Sequence, residues 1–428
     1  MPAKKTSATP RSDYEVVEIC AGAGGQALGL EKAGFAHKLA VELDTNACNT
    51  LKLNRPDWDV EEGDVADPAK WKPSEHVGVD LLAGGVPCPP FSIAGKQLGA
   101  SDERDLFAWA VEAAGQIKPR ALMLENVRGL SAPRFAAYRQ RILDRLTEFG
   151  YVADWRLLQA SDYGVPQLRP RFVLVALQQE DAAYFHWPKP TPTQETVGSV
   201  LKDLMGEEGW RHVDDWAAMA NDIAPTLVGG SKKHGGADLG PTRAKRAWLA
   251  LGTSGMGIAN EPPAADSPHP ADVPPKLTLP MVARLQGWQD GEWKFSGGKT
   301  AKYRQIGNAF PPPVAQAIGK SIVAAFDRTA ARREILELTP DTVHDAVYRI
   351  LKSTDGFVTA SKLLAQSDGL VEEHELERRI ANLSRDFTVD IRQTKSGVSY
   401  RLGEFKGFTG QDDHQRHDYI ASFRSRVS

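Results

Sequence analysis

The residue with the clearest chemical potential is Cys88, in the segment GGVPCPPFSIAGKQLG at positions 84–99. It follows an apolar run at 79–85 that is typical of a buried strand, and prolines at 87, 89 and 90 restrict the loop around it. Sheets of parallel strands place their chemistry at the carboxyl ends of those strands. A thiolate there is predicted to act as a nucleophile. A purely structural role for a cysteine in such a place is an equally good interpretation.

Two further groups are expected to lie at the same edge. Glu125 ends the next apolar run, in Glu125-Asn126-Val127, and a carboxylate beside a thiol makes sense when it contacts the substrate rather than the thiol. Arg169 and Arg171 precede another apolar run, and their alternation predicts that both lie on one face of a strand. Paired guanidiniums suit a phosphate or a polarised carbonyl, although each of these residues alone fits a solvated strand end.

A glycine-rich turn follows the first apolar run, in AGAGG at positions 21–25. Glycines let the chain turn tightly and approach a ligand at a helix N-terminus. Glu42 ends the second predicted strand, where a carboxylate can bind a ribose, and Asp64 follows the third, where it can accept a hydrogen bond from an adenine amine. This pattern indicates an adenosine-containing ligand and does not separate S-adenosylmethionine from a dinucleotide.

The order of apolar runs and helical segments predicts the architecture. Strands alternate with helices from 14 to 177, which favours an α/β fold with a doubly wound, mostly parallel sheet. We expect a disordered leader at 1–13, a catalytic domain at 14–189 and 277–328, and an inserted irregular recognition domain at 190–276. Three helical segments and a hairpin predict a small α+β, winged-helix-like module at 335–405, and a flexible tail is expected at 406–428.

Composition excludes several classes of protein. No run approaches the roughly 20 apolar residues of a membrane span, and the N-terminus lacks the apolar core of a secretory signal. Three cysteines (Cys20, Cys48 and Cys88) favour a reducing compartment over a disulfide framework, and without zinc-like spacing we expect no metal. Cys20 and Cys48 are predicted to be structural. The net charge of −3 means that any nucleic-acid site must depend on local positive charge.

Taken in order, these segments resemble the cytosine-5 DNA methyltransferases over roughly residues 14–326. Besides the features above, the match includes the Pro-Cys loop and the Gln-x-Arg-x-Arg run at 167–171. It continues with RLQGW at 284–288 and YRQIGNA at 303–309. The resemblance implies the methyltransferase fold, with a last helix over 303–319 that completes the cofactor pocket beside the first strand.

The resemblance also implies a mechanism. Cys88 would add to carbon 6 of a cytosine flipped out of duplex DNA, so that carbon 5 can attack the methyl group of S-adenosylmethionine. Glu125 would hold ring nitrogen 3 and the exocyclic amine, Arg169 the ring carbonyl, and Arg171 would orient Glu125 or the loop. The loop around 89–102 would close on the flipped base.

The implied cofactor-binding residues come from both ends of this match. They are Cys20, Ala21, Gly22, Gly24, Gly25, Glu42, Leu43, Asp64, Val65, Pro87, Asn308 and Ala309. Two positions depart from the family. Cys20 replaces a usual Phe, so we expect the adenine to pack on Ile19, Leu43 or Val65 instead, and Pro89 replaces a usual Gln after the catalytic cysteine.

DNA sequence is expected to be recognised between 190 and 276, where Thr226-Leu227 matches a pair in that region of the family. A basic, glycine-rich stretch follows and suits phosphates and guanine edges. The residues predicted to contact DNA are Ser92, Gln97, Thr226, Lys232, Lys233, Arg243 and Arg246. The C-terminal module is compatible with DNA contact, protein contact or simple packing.

Three interpretations of function therefore compete. The favoured one is a cytoplasmic, nucleoid-associated DNA methyltransferase that acts on double-stranded DNA. By family analogy, it would work beside a partner restriction endonuclease. We expect it to involve neither a membrane nor a metal. A transfer-RNA cytosine-5 methyltransferase is the alternative within enzymes. A non-catalytic DNA-binding protein with a relic pocket is the alternative outside them, and the presence of Cys88, Glu125, Arg169 and Arg171 argues against it.

Overall fold

The computed structural model describes residues 14–87, 106–192, 194–229, 236–334, 345–394 and 397–406. The leader, the loop that carries Cys88 and most of the predicted tail lie outside these ranges. Its strands are β1 (Tyr14–Ile19), β2 (Phe35–Glu42), β3 (Val60–Glu62), β4 (Leu81–Gly85), β5 (Ala121–Val127), β6 (Tyr151–Gln159), β7 (Pro170–Gln178), β8 (Val358–Thr359), β9 (Phe387–Thr394) and β10 (Gly397–Phe405).

The helices divide among the sheet, the region that follows it and the C-terminus. They are α1 (Gly25–Ala33), α2 (Thr45–Asn54), α3 (Leu106–Ile117), α4 (Ala136–Glu148), α5 (Gln179–Ala182), α6 (Val197–Met205), α7 (Val213–Met219), α8 (Thr242–Ala250), α9 (Leu279–Leu285), α10 (Lys299–Asn308), α11 (Pro312–Phe326), α12 (Ala346–Ser353), α13 (Ala360–Gln366) and α14 (Glu373–Asp386). Among the described residues, no helix combines the length and apolarity that a bilayer span requires.

Seven strands form one sheet in the order β3-β2-β1-β4-β5-β7-β6. Neighbours from β3 to β5 are parallel, whereas β7 is antiparallel to both β5 and β6. Only a short connection separates β6 from β7, and an antiparallel pair needs no helical crossover. The predicted α/β fold with a doubly wound, mostly parallel sheet is therefore confirmed.

Alternating side chains of the central strands bury both faces of this sheet. On β1, Val17 and Ile19 pack in a cluster with α3 and α4, while Val16 packs on the opposite face with α1 and α11. The same division holds on β5, where Leu122 and Leu124 face the first cluster. Because both faces are covered, the central strands are mostly apolar, and packing from both sides holds their carboxyl ends in place.

Helices α1 and α11 approach closely at glycines. A Cβ at Gly29 would lie 2.4 Å from the carbonyl of Pro312, and one at Gly319 would lie 2.7 Å from the Cβ of Ala33. This contact brings the chain at 309–313 back to the end of β1, about 280 residues after the glycine turn. The first strand's ligand-binding edge is therefore completed late in the sequence.

The helix expected over 303–319 is in fact two helices, α10 and α11, and that prediction was wrong in its boundaries. Prolines at 311, 312 and 313 explain the break. A proline lacks the amide hydrogen of a helix interior and pushes the preceding residue out of the helical region. The break at Ala309–Pro311 leaves backbone carbonyls free to accept bonds from other segments.

The region at 190–276 is more ordered than the irregular domain that its composition predicts. It contains α6, α7 and α8, and its core includes the buried indoles of Trp210, Trp216 and Trp248. Helices of seven to nine residues are too short to show a clear apolar periodicity in the sequence. Packing of the large tryptophan side chains stabilises them instead. Long loops do flank them, as the proline-rich segments predict.

The C-terminal module has three helices, α12 to α14, and a three-stranded antiparallel sheet in the order β8-β10-β9. This is the predicted winged-helix-like arrangement, with the two-residue strand β8 added. The module shares a continuous core with α4. Tyr348 and Lys352 both donate to the carboxylate of Asp144 on α4, and the rings of Phe405 and Tyr138 lie 5.5 Å apart.

The packing of α1 on α11 makes a stability prediction. Gly29→Ala should lower the free energy of unfolding by about 1–3 kcal/mol, because the new methyl group overlaps a backbone carbonyl that cannot rotate away. Urea denaturation followed by circular dichroism measures the change. Gly236→Ala, where nothing lies within 4 Å of the new Cβ, is the control and should stay within about 0.5 kcal/mol of the wild type. Equal stability of both variants would contradict the close approach.

Candidate functional site

One cavity of about 460 Å³ opens at the carboxyl ends of β1 to β5. Every residue predicted to bind the cofactor lines it except Gly24. Gly24 is buried beside it, where a Cβ would lie 2.5 Å from the indole of Trp293. Glu125 lines the same cavity, so the structure brings the predicted catalytic carboxylate and the predicted ligand pocket together.

The glycine turn has a conformation that its residue types explain. Gly22 and Gly24 have φ values of 56° and 89°, in the left-handed region that glycine tolerates. Cys20 also has a positive φ, of 50°, at the point where β1 ends. The backbone amide of Gly22 donates to Glu42 Oε2 at 2.7 Å, so the carboxylate that ends β2 fixes the turn that follows β1.

Glu42 has a second backbone donor. The amide of Asp44 donates to its Oε1 at 2.7 Å, while the side chain of Asp44 caps α2 by accepting from Asn46 and Ala47. Burial raises the pKa of Glu42, and these backbone bonds oppose that effect. The carboxylate is thus held in one orientation at the cavity wall, with lone pairs left for hydroxyl groups of a ligand.

Asp64 and Val65 form the opposite end of the cavity. Asp64 Oδ1 accepts from the amide of Ala66 at 3.0 Å, and the indole of Trp71 donates to the carbonyl of Val65 at 2.5 Å. The ring of Trp71 also packs edge-on against Trp109 of α3, with centroids 5.9 Å apart. Trp71, which the sequence analysis did not select, therefore positions the two residues that would contact an adenine.

Glu18 is a second cavity residue that sequence reasoning missed. It lies on β1 between apolar neighbours and is completely buried, with Oε2 2.8 Å from Nε2 of His37 and Oε1 3.3 Å from Nε2 of Gln26. The ring of His37 stacks on Trp58 with centroids 3.9 Å apart. A charged residue inside an otherwise apolar strand was the available signal, because such a residue needs a buried partner.

Glu125 is paired with one of the two predicted arginines. The Nε of Arg171 lies 2.6 Å from Glu125 Oε1, and both side chains are almost fully buried. Burial raises the pKa of Glu125, while the positive charges of Arg171 and Arg169 oppose the rise. A carboxyl group in this setting can be protonated nearer to neutral pH than an exposed one.

Asn126 connects Glu125 to the loop that carries Cys88. Its Nδ2 donates to the carbonyl of Val86 at 3.0 Å, and its Oδ1 accepts from the amide of Val127 at 2.8 Å. Val86 and Pro87 are the last described residues before Cys88, which itself lies outside the described residues, as do Ser92 and Gln97. The start of the loop is therefore held beside the carboxylate that ends β5.

Arg169 occupies a different position from Arg171. It is fully buried, and its terminal nitrogens donate to the carbonyls of Leu227 at 2.7 Å, Gly307 at 2.7 Å and Ala309 at 3.0 Å. Burial and the charge of Arg171 lower the pKa of Arg169. To reach a base carbonyl, as its resemblance-based role requires, the guanidinium would have to leave these bonds.

Gln167 and Thr226 extend this network. Gln167 Oε1 accepts from the amide of Leu227 at 3.0 Å, and its Nε2 donates to Gln286 Oε1 at 2.6 Å. The hydroxyl of Thr226, which was predicted to contact DNA, donates to the carbonyl of Leu168. The segment at 226–227 is thereby bonded to the residues just before β7.

The remaining predicted DNA contacts fall on α8 or outside the described residues. Arg243 and Arg246 are exposed on α8, one turn apart, whereas Lys245 between them pairs with Asp238 at 2.8 Å. Lys232 and Lys233 lie outside the described residues. Asn308 and Ala309, by contrast, line the cavity at the end of α10, where a Cβ at Gly25 would lie 2.3 Å from the carbonyl of Phe310.

The two cysteines among the described residues have different surroundings. Cys20 lines the cavity, whereas Cys48 is buried on α2 with its Sγ donating to the carbonyl of Glu42 at 3.3 Å. Burial raises the pKa of the Cys48 thiol to about 12, and the nearby Glu42 and Glu62 add to the rise. Cys48 is thus an unreactive, structural residue, as its sequence context predicts.

Three side chains outside the cavity have the proximity of metal ligands. His212, Asp215 and His269 present ligand atoms within 4.8 Å of one another, although 54 residues separate Asp215 from His269. Each imidazole accepts a bond at its other nitrogen: His212 Nε2 from Arg211 and His269 Nδ1 from the amide of Ala271, both at 3.2 Å. The nitrogens that face Asp215 therefore carry protons, and the group is a hydrogen-bonded trio.

Comparison with known proteins gives consistent matches. The sequence profile of the family described as C-5 cytosine-specific DNA methylase matches residues 14–324. Type II methyltransferase M.NaeI of Lentzea aerocolonigenes is 62% identical over 417 residues, which cover 97% of this chain and 99% of that protein. Type II methyltransferase M.NgoMIV of Neisseria gonorrhoeae is 50% identical over 319 residues, which cover 74% of this chain and 99% of that protein.

A solved structure supports the fold. The crystal structure of a DNMT2 mutant from Spodoptera frugiperda is 16% identical and aligns with a TM-score of 0.53, covering 73% of this chain and 100% of that one. At this identity the likeness concerns the fold alone.

The position of Arg169 makes a prediction about stability. Arg169→Met should lower the free energy of unfolding by at least about 2 kcal/mol, because buried carbonyls of two segments lose their donor. Hydrogen exchange should also speed up at 227–229 and 307–309. Arg243→Met, at an exposed helix position, is the matched control and should change stability by less than about 0.5 kcal/mol. Unchanged exchange in Arg169→Met would mean that these bonds do not hold the two segments together.

Proposed function

The chain belongs to the C-5 cytosine-specific DNA methylase family, and from that premise we propose how its residues carry out the reaction. The proposed reaction moves a methyl group from S-adenosylmethionine to carbon 5 of a cytosine flipped out of duplex DNA. One observation carries it: the cavity between the glycine turn and Asp64 is continuous with Glu125. A cofactor and a flipped base would therefore meet in one enclosed space.

The residues of the cavity fit S-adenosylmethionine. The volume of the cavity lies in the usual range for small-molecule sites. The glycines of the turn carry no side chains, so a ligand can approach its backbone. Glu42 would bind the ribose hydroxyls, Asp64 the adenine amine, and Leu43 and Val65 would pack on the adenine ring in place of the missing aromatic residue at Cys20. When bound, the cofactor supplies a methyl group on a positively charged sulfur, which the surrounding carboxylates favour.

Cys88 would be the nucleophile. Its thiolate would add to carbon 6 of the cytosine. The electron pair displaced to carbon 5 would form the new bond to the methyl group, while the methyl–sulfur bond of the cofactor breaks and its electron pair stays on the sulfur. Loss of the carbon-5 proton to a base, with water as the acceptor, then expels the thiolate and restores the ring. Asn126 would support this step by holding Val86, two residues before Cys88, against the end of β5.

Glu125 would bind ring nitrogen 3 and the exocyclic amine of the cytosine. Because its pKa is raised by burial, the carboxyl can donate a proton to nitrogen 3 as charge builds up there. Arg171 would orient this carboxyl through their ion pair. We propose a positioning role for Arg169, because its bonds tie the recognition segment to the end of α10.

Target recognition would involve the segment from Thr226 to Arg246. Arg243 and Arg246 are exposed and share one face of α8, where guanidiniums can reach phosphates or guanine edges. The relatives named Type II methyltransferases support a restriction-modification role beside a partner endonuclease. We place this role in the bacterial cytoplasm, on the nucleoid.

Covalent trapping tests the reaction. Duplexes of random sequence that contain 5-fluorocytosine should form a denaturation-resistant complex with the enzyme when S-adenosylmethionine is present, because fluorine at carbon 5 cannot leave as a proton. Cys88→Ser should give no complex, and Cys48→Ser, at the inert thiol, should retain it. A complex with fluorinated transfer RNA instead of DNA would assign the alternative substrate. Absence of a complex with every duplex pool would refute the mechanism.

Substitution on α8 tests the recognition role. The double variant Arg243→Ala/Arg246→Ala should bind DNA more weakly, with a shallower dependence of affinity on salt, because each lost phosphate contact reduces counterion release. Filter binding across salt concentrations measures this, and methylation of a random pool measures site preference. Full rate, unchanged salt dependence and unchanged preference would together exclude both residues from DNA contact.

A further inference from the structure

Arg304 is the one cationic residue among the described residues that line the cavity. It lies on α10, one turn before Asn308, and is half-buried. Within the part of the chain that the structure describes, its Nε is buried without a hydrogen-bond partner. A guanidinium placed in this way has donors available for a ligand and pays a desolvation penalty until an anion meets it.

The other charges of the cavity are negative. The carboxylates that line it are Glu18, Glu42, Asp44, Asp64 and Glu125. Each already accepts bonds from protein groups: Glu18 from Gln26, Glu42 and Asp44 from backbone amides at the turns, Asp64 from Ala66, and Glu125 is paired with Arg171. These bonds hold the acids in place, and Arg304 is the cation among the described lining residues that an anionic group of a ligand would meet.

The proposed cofactor matches this distribution. Its sulfonium and ammonium groups are positive and its one carboxylate is negative at neutral pH. Resting on the function proposed above, we propose that Arg304 binds the carboxylate of the amino-acid part of S-adenosylmethionine.

The position of α10 supports this arrangement. Ala301, Gln305 and Asn308 of the same helix also line the cavity, and a Cβ at Gly25 would touch Phe310, just after α10 ends. The helix therefore forms part of the cavity wall, and its C-terminal end lies beside the glycine turn. Lys302 of the same helix faces a separate groove with Trp288 and Trp293, so Lys302 and Arg304 belong to different surfaces.

Calorimetry with two ligands tests the contact in the full-length protein. S-adenosylhomocysteine keeps the carboxylate, whereas 5′-methylthioadenosine lacks the whole amino-acid part. Arg304→Gln should weaken S-adenosylhomocysteine about ten- to a hundredfold and leave 5′-methylthioadenosine unchanged, since a charge-assisted hydrogen bond is lost only with the first. Arg304→Lys should restore part of the affinity, and Lys302→Gln should bind both ligands as the wild type does.

The outcomes separate this inference from the proposed function. A wild-type protein that binds neither ligand would refute the use of S-adenosylmethionine itself. Equal weakening of both ligands in Arg304→Gln would indicate a general disturbance of the cavity and overturn the carboxylate contact. Unchanged affinity for S-adenosylhomocysteine, with weaker binding of duplex DNA, would also overturn it and assign Arg304 to a phosphate.

Discussion

The guanidinium of Arg169 is the interaction on which the arrangement of the site depends. It donates to Leu227 in the region at 190–276 and to Gly307 and Ala309 at the end of α10, so a single side chain joins segments that are 58 to 140 residues away from it. A buried cation is costly unless its donors are used. Here the cost of burying the guanidinium is offset by hydrogen bonds to backbone carbonyls. These carbonyls are available because the prolines end α10 and because the segment at 224–229 is extended. The position of the recognition region relative to the cavity is thereby fixed from inside the protein.

The sheet and most of the cavity could be predicted from the sequence, because apolar runs that end in glycine or a charged residue define both the strands and their edge. Glu42, Asp64 and Glu125 were selected in this way, and all three line one cavity. The roles of Arg169 and Arg171 could not be separated in this way. Alternation predicts both on one face of a strand, whereas the structure has Arg171 on β7 and Arg169 just before it. Which of the two meets Glu125 depends on carbonyls supplied by distant segments.

Other residues escaped prediction for a similar reason. Glu18, Trp71 and Arg304 are single polar or aromatic residues inside apolar or mixed segments, and their meaning comes from partners far away in the chain. The helices of the recognition region were missed because short helices held by tryptophans have little periodicity. The packing of the C-terminal module against α4 could not be predicted either, since its contacts join residues far apart in the sequence. Tyr348 and Asp144, for example, are 204 residues apart.

The late return of the chain to the end of β1 has a consequence for synthesis. The cavity needs the turn at 21–25 and also Arg304 to Phe310, which leave the ribosome only after the whole recognition region. A nascent or truncated chain that ends within that region has half a pocket and cannot be stabilised by cofactor binding. The stability that a bound cofactor adds would therefore be available only to a chain that extends through Phe310. The order of the segments thus makes completion of the pocket depend on completion of the region at 190–276, which lies between the two halves of the pocket in the sequence.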